Sequence, residues 1–121
     1  MKSAEEHLEL SESKLKSAEV LLQNELYADS ISRAYYSMFN AAKALLLTED
    51  SSPKTHTGVS SELGKLFRDR IDRELLSELT RLQDLREKAD YTNYQPDREE
   101  TREAIETAEE FLKESKRICE K

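Results

Sequence analysis

The chain has 121 residues, 37% of them charged, and a net charge of −7 from 26 acids and 19 bases. That length suits one compact domain spanning 1–121 with a real core, and two Gly with two Pro leave little material for tight turns or a many-stranded sheet. The acidic balance argues against nonspecific coating of nucleic acid, and no apolar run approaches the ~20 residues that cross a bilayer, so a cytoplasmic protein with no membrane association is expected.

A first helix is predicted from Ser3 to Gln23. Its seam is Ala4, Leu8, Ser11, Leu15, Ala18 and Leu22, spaced four and three apart, which faces one neighbour. Asn24-Glu25 closes it, and His7 reads as a solvated surface histidine on the charged side. The second helix begins near Tyr27 or Asp29, with Asp29 or Ser30 as its cap, and ends near Thr48. Within it, Ile31, Ala34, Tyr35, Met38, Phe39, Ala42, Leu45 and Leu46 form one broad apolar face. Small residues among the large ones let it accept neighbours on several sides, so it is the expected centre of a bundle. A polar line runs along it through Arg33, Ser37 and Asn40.

The connection Glu49–Gly58 is the only long one, broken at Ser51-Ser52-Pro53 because Pro53 disfavours helix at Ser52. A short third helix fits Val59–Arg68. A fourth runs from about Asp72 to Tyr94 with Leu75, Leu79, Leu82, Leu85 and Ala89 inward. A fifth starts at an Asp97/Glu100 capping pair and turns Thr101, Ala104, Ile105, Ala108, Phe111, Leu112, Ser115 and Ile118 inward. The fold class is therefore all-α, an antiparallel four- to five-helix bundle. The excess acid lies at the two ends of the chain; the span 65–94 is balanced and leaves room for a local basic cleft.

Most familiar sites are absent. There is no Gly-rich phosphate loop and no Glu-x-x-His pair or Cys/His cluster; no metal or cofactor is expected. The lone Cys119 reads as a partly exposed, inert thiol. Two places remain. In Lys54-Thr55-His56-Thr57-Gly58-Val59, Gly58 tolerates backbone angles other residues avoid. His56 could act as an acid, a base or a phosphate contact; the plainer alternative is a turn with a helix cap. In the fourth helix, Arg86 and Asp90 are four apart and share a face. Asp90 could hold the Arg86 guanidinium so that its other donors meet a phosphate or carboxylate, with Tyr91 and Tyr94 as nearby rings. The plainer alternative is an ordinary salt bridge.

Taken together, Arg33-Ala34-Tyr35-Tyr36-Ser37-Met38-Phe39-Asn40, Thr55-His56-Thr57-Gly58-Val59 and Arg86-Glu87-Lys88-Ala89-Asp90-Tyr91 resemble a HEPN domain of the small stand-alone branch. That branch carries a Tyr-Tyr-x-Met-Phe helix, a Thr-His-x-Gly loop and an Arg-x-x-x-Asp-Tyr segment. The resemblance covers nearly the whole chain. It implies a homodimer with its site where helix four meets its mate, and often a minimal nucleotidyltransferase as antitoxin partner. Active members are metal-independent ribonucleases marked by an arginine followed, after four to six residues, by a histidine. Here the corresponding positions are Tyr91, Thr92 and Asn93, so the usual proton carrier is missing. The branch's histidine after Met-Phe is Asn40.

Three readings follow. The first is a homodimeric module that binds a nucleotide, an RNA or a nucleotidyltransferase partner, with Arg86 as anion contact, Asp90 as its orienter, and Tyr91, His56 and Arg33 as contributors. The second is an endoribonuclease toxin using Arg86 and Tyr91, with His56 or Asp90 moving the proton; His56 could reach the site across a dimer interface. The third is a dimerisation scaffold without a ligand.

Overall fold

Helix α1 (Ala4–Gln23) opens on a reciprocal cap. The Glu6 backbone N–H donates to Ser3 Oγ at 3.1 Å, and the Ser3 N–H donates back to Glu6 Oε1 at 2.9 Å, so two orphan donors of the first turn are satisfied together. The computed structural model describes residues 2–120, and in it the chain forms four further helices: α2 (Tyr27–Leu47), α3 (His56–Phe67), α4 (Arg73–Tyr91) and α5 (Arg98–Cys119). No strand occurs among the described residues, and no helix is long and apolar enough to cross a membrane.

Helix α2 packs against each of the other four. Tyr35, Met38, Ala34, Ala41, Ala42 and Ala44 are all fully buried in it, which is what its mixture of large and small apolar residues requires. The close approach of α1 is bonded as well as packed. Ser11 Oγ donates to the Ser37 carbonyl at 2.6 Å, Ser37 Oγ donates to the Ser11 carbonyl at 2.9 Å, and Ser30 Oγ donates to the Ala18 carbonyl at 2.7 Å. These pairings run in opposite chain directions, so α1 and α2 are antiparallel. The ion pairs Glu12–Lys116 and Glu19–Arg102 set α5 antiparallel to α1 in the same way.

Several boundaries depart from the sequence reading, each for a local reason. Helix α2 starts at Tyr27 behind Leu26, which offers no side-chain cap; neither Asp29 nor Ser30 caps it, because Ser30 is spent on Ala18. Helix α3 starts three residues early. The Gly58 N–H donates to Thr55 Oγ1 at 2.9 Å, so Thr55-His56-Thr57-Gly58 is a capped first turn. Helix α4 stops at Tyr91, where Thr92 turns extended and its hydroxyl donates back to the Lys88 carbonyl. Asp97 caps α5 through the Glu100 N–H at 2.8 Å. Glu100 does not complete a reciprocal pair, because its carboxylate accepts the Tyr94 hydroxyl. Cys119 is half-buried, and burial pushes its thiol up from the ordinary value.

Candidate functional site

Three elements bring polar side chains together on one side of α2. Tyr35, Tyr36 and Phe39 come from α2, His56 from the first turn of α3, and Arg86, Asp90 and Tyr91 from the last turns of α4. Tyr36 and Phe39 lie three apart, so both reach the same side of α2. The Thr55 cap fixes the turn from which His56 projects back onto them.

The aromatic part is tightly built. His56 stacks on Phe39 with ring centres 4.3 Å apart and planes 14° from parallel. It meets the edge of Tyr36 at 6.2 Å. The Tyr35 hydroxyl and His56 Nδ1 are 2.5 Å apart, a short hydrogen bond. Tyr35 is fully buried, and burial pushes its hydroxyl well above the ordinary phenol value, so it keeps its proton. Burial also lowers the pKa of His56, and repulsion from Arg86 and Lys43 lowers it further against the opposing pull of Glu87. The imidazole is therefore held neutral beside a fixed cation.

Arg86 is that cation, with its side chain only 11% exposed. Nη1 donates to the Tyr36 hydroxyl at 3.0 Å. The guanidinium carbon lies 5.2 Å from the Tyr36 ring centre, 5.6 Å from Tyr35 and 6.0 Å from Tyr91, all within cation–π range. Asp90 Oδ2 stands 3.6 Å from Nε, an ionic contact longer than a hydrogen bond. Nε is buried and without a hydrogen-bond partner among the described residues. Nε is thus closed off against Asp90 and Nη1 is held by Tyr36, so Nη2, which makes no hydrogen bond among the described residues, is the arm left to meet an anion.

Arg86, Asp90, Tyr91 and His56 thus converge within one chain, and His56 stands beside Arg86 without crossing from another copy. Arg33 lies apart. It is exposed and lines a shallow groove with Ser13, Lys16, Ser17, Val20 and Leu21 of α1, none of which belongs to the Arg86 cluster. The polar line expected through Arg33, Ser37 and Asn40 is split, since Ser37 and Asn40 are buried against α1. His7, read as a solvated histidine, is half-buried with Nδ1 3.1 Å from Asn40 Oδ1. Sequence reasoning had no role for Tyr36 or Lys43. The available signal was that Tyr36 falls off the apolar stripe of α2 while still facing inward by its ring.

Comparison with known proteins bears on what this arrangement belongs to. A putative toxin of Methanocaldococcus jannaschii is 40% identical over 110 residues, covering 87% of this chain and 80% of that protein. A UPF0332 protein of Pyrococcus horikoshii is 52% identical over 63 residues, which are 52% of this chain and 44% of that protein. The crystal structure of TT1696 from Thermus thermophilus shares the fold with a TM-score of 0.82, at 22% identity over 97% of this chain and 98% of that one. The HEPN domain model matches residues 4–118, a span that takes in all three elements of the Arg86 cluster, and the chain therefore belongs to the HEPN domain family.

Proposed function

We propose that the protein is a homodimeric, toxin–antitoxin-type HEPN module that binds RNA through Arg86, with a nucleotidyltransferase as its antitoxin partner. The observation that carries this is the caged guanidinium: three tyrosine rings, the Tyr36 hydroxyl at Nη1 and Asp90 beside Nε hold Arg86 in place, while Nη2 makes no hydrogen bond among the described residues. A preorganised fork beside stackable rings suits a phosphate with a base next to it. Tyr91 is 75% exposed at the edge of the cluster, which leaves a large ring for a base or a dimer mate to cover.

A second reading is favoured by His56. A neutral imidazole beside an arginine suits a metal-independent endoribonuclease. Nε2 would take the proton of the RNA 2′-hydroxyl while Nδ1–H donates to the Tyr35 oxygen. The 2′-oxygen would then attack phosphorus as the bond to the 5′-oxygen breaks, the 5′-oxygen would leave with the proton returned by the His56 imidazolium, and Arg86 would stabilise the charge gathered on the phosphate. His56 would replace the histidine that the motif lacks after Arg86.

End-labelled single-stranded RNA titrated in EDTA, with Arg86→Ala in parallel, tests both readings. Binding that weakens in the variant without cleavage supports the first. Cleavage lost in Arg86→Ala and in His56→Gln establishes the second. Neither binding nor cleavage rejects both and leaves the dimerisation scaffold.

A further inference from the structure

We propose that a second cavity, lined by Lys2, His7 and Lys43, takes a phosphate group of the same strand that Arg86 holds, so that the protein grips RNA at two backbone anions. The strand assignment rests on the RNA-binding reading above; the phosphate pocket itself does not.

The cavity has a volume of about 200 Å³ and is bounded by Lys2, His7, Lys43, Leu46, Leu47 and Ser51-Ser52-Pro53. Two lysines and a histidine line it, and no acidic residue does, in a chain whose net charge is −7. Neither lysine forms an ion pair among the described residues. Of the nearby carboxylates, Glu6 is held in the α1 cap, and Glu62 accepts the hydroxyl of the cavity-lining Ser51 at 3.2 Å. Gathering like charges around a cavity costs energy unless an anion offsets it.

The chemistry of His7 fits the same ligand. Asn40 Nδ2 donates to the Tyr36 carbonyl at 2.8 Å, which turns Oδ1 toward His7 and makes Nδ1 the protonated nitrogen. Nε2 is then left to take the second proton. That step is disfavoured, first by burial and then by Lys43 and Lys2, with the Asn40 bond and Glu6 opposing. A bound anion reverses the balance and adds a third donor.

Lys43 links this cavity to the Arg86 cluster. Its ammonium lies 5.2 Å from the Phe39 ring centre, and Phe39 is the ring on which His56 stacks. Its charge acts on both imidazoles. A strand running past Lys43 would pass from one cation set to the other.

The chain has two histidines, and they report separately: His7 on the cavity, His56 on the Arg86 cluster. The experiment is an NMR titration of the imidazole signals with inorganic phosphate, run with the native protein, Lys2→Gln/Lys43→Gln and Arg86→Ala, followed by RNA binding across a salt series. The expected result is a saturable His7 shift with a raised His7 pKa, lost in the double lysine variant and kept in Arg86→Ala. The slope of log affinity against log salt should also fall by about 0.7 in the double variant, one phosphate contact on a single strand. A His7 signal that ignores millimolar phosphate overturns the pocket. A responding His7 with an unchanged salt slope overturns the strand assignment and points to a free phosphate compound. A responding His7 with no RNA binding at all keeps the pocket and removes the RNA reading instead. Thermal melts of each variant identify any that has lost its fold.

Discussion

Arg86 Nη1 donates to the hydroxyl of Tyr36 at 3.0 Å, across fifty residues of chain and between two helices. The contact fixes one arm of the guanidinium and ties the end of α4 to the middle of α2. Its removal should therefore cost both binding and stability. Arg86→Ala is expected to weaken RNA binding and to lower stability by about 1.5–3 kcal/mol, the range for a hydrogen bond to a charged group. Arg86→Lys keeps the charge and loses the fork, so it should recover little of the affinity. Denaturant melts beside binding isotherms check both; an Arg86→Lys protein that binds as well as the native one would reduce the site to a point charge.

Tyr35 acts on His56 through the bond to Nδ1. Tyr35→Phe deletes one oxygen from a fully buried ring and should cost about 1 kcal/mol. The more telling readout is the imidazole. With Nδ1 released, the neutral ring is free to exchange tautomers, and the ring nitrogen shifts of His56 should move toward an averaged pattern while those of His7 stay put. If the protein cleaves RNA, kcat should fall in Tyr35→Phe with little change in KM, since Tyr35 positions His56 and touches no substrate.

The helices were readable from periodicity because their apolar faces are continuous, and Arg86 with Asp90 was readable because four-residue spacing is a property of one helix. The pairings that build the rest of the site are not local. Tyr36 meets Arg86, Tyr35 meets His56, and His7 meets Asn40 only after antiparallel helices set the register, and nothing near any of these residues in sequence encodes the partner. His7 shows the cost of that. Its charged neighbours imply a solvated face, yet Asn40 draws the ring inward. Gly58 was singled out correctly for the wrong reason, as its backbone is not left-handed.

What Gly58 supplies is room. A Cβ there would stand 2.9 Å from Thr55 Oγ1 and 3.0 Å from Pro53 Cβ, and Thr55 Oγ1 is the atom that caps α3. Gly58→Ala should push the hydroxyl off the Gly58 N–H and destabilise the protein by about 1 kcal/mol, the usual worth of such a cap, despite alanine's better helix propensity. Thr55→Ala should cost a similar amount. Because both act on one bond, the double variant should cost no more than the larger single change, and additive losses in denaturant melts would show that the two residues act separately.

Both histidines have folded pKa values below the ordinary 6.5, chiefly because burial disfavours the charged ring. Below that value the unfolded chain binds protons more readily than the folded one, so stability falls with falling pH. The contribution is fully present above about pH 6.5 and is lost progressively as the pH drops through the folded values. Glu6 and Glu114 are shifted below the carboxylate value of 4.5, and their contribution is lost only in more acidic solution. Melting temperatures should therefore be flat near neutrality, fall in a first step below about pH 6.5, and fall again below about pH 4.5. His7→Gln/His56→Gln should remove the first step and leave the second. Millimolar phosphate raises the folded His7 value back toward the ordinary 6.5, so it should shrink the His7 part of the first step and raise the melting temperature within that window, because a ligand that binds only the folded protein stabilises it. A first step that survives in the double histidine variant would assign it to other groups.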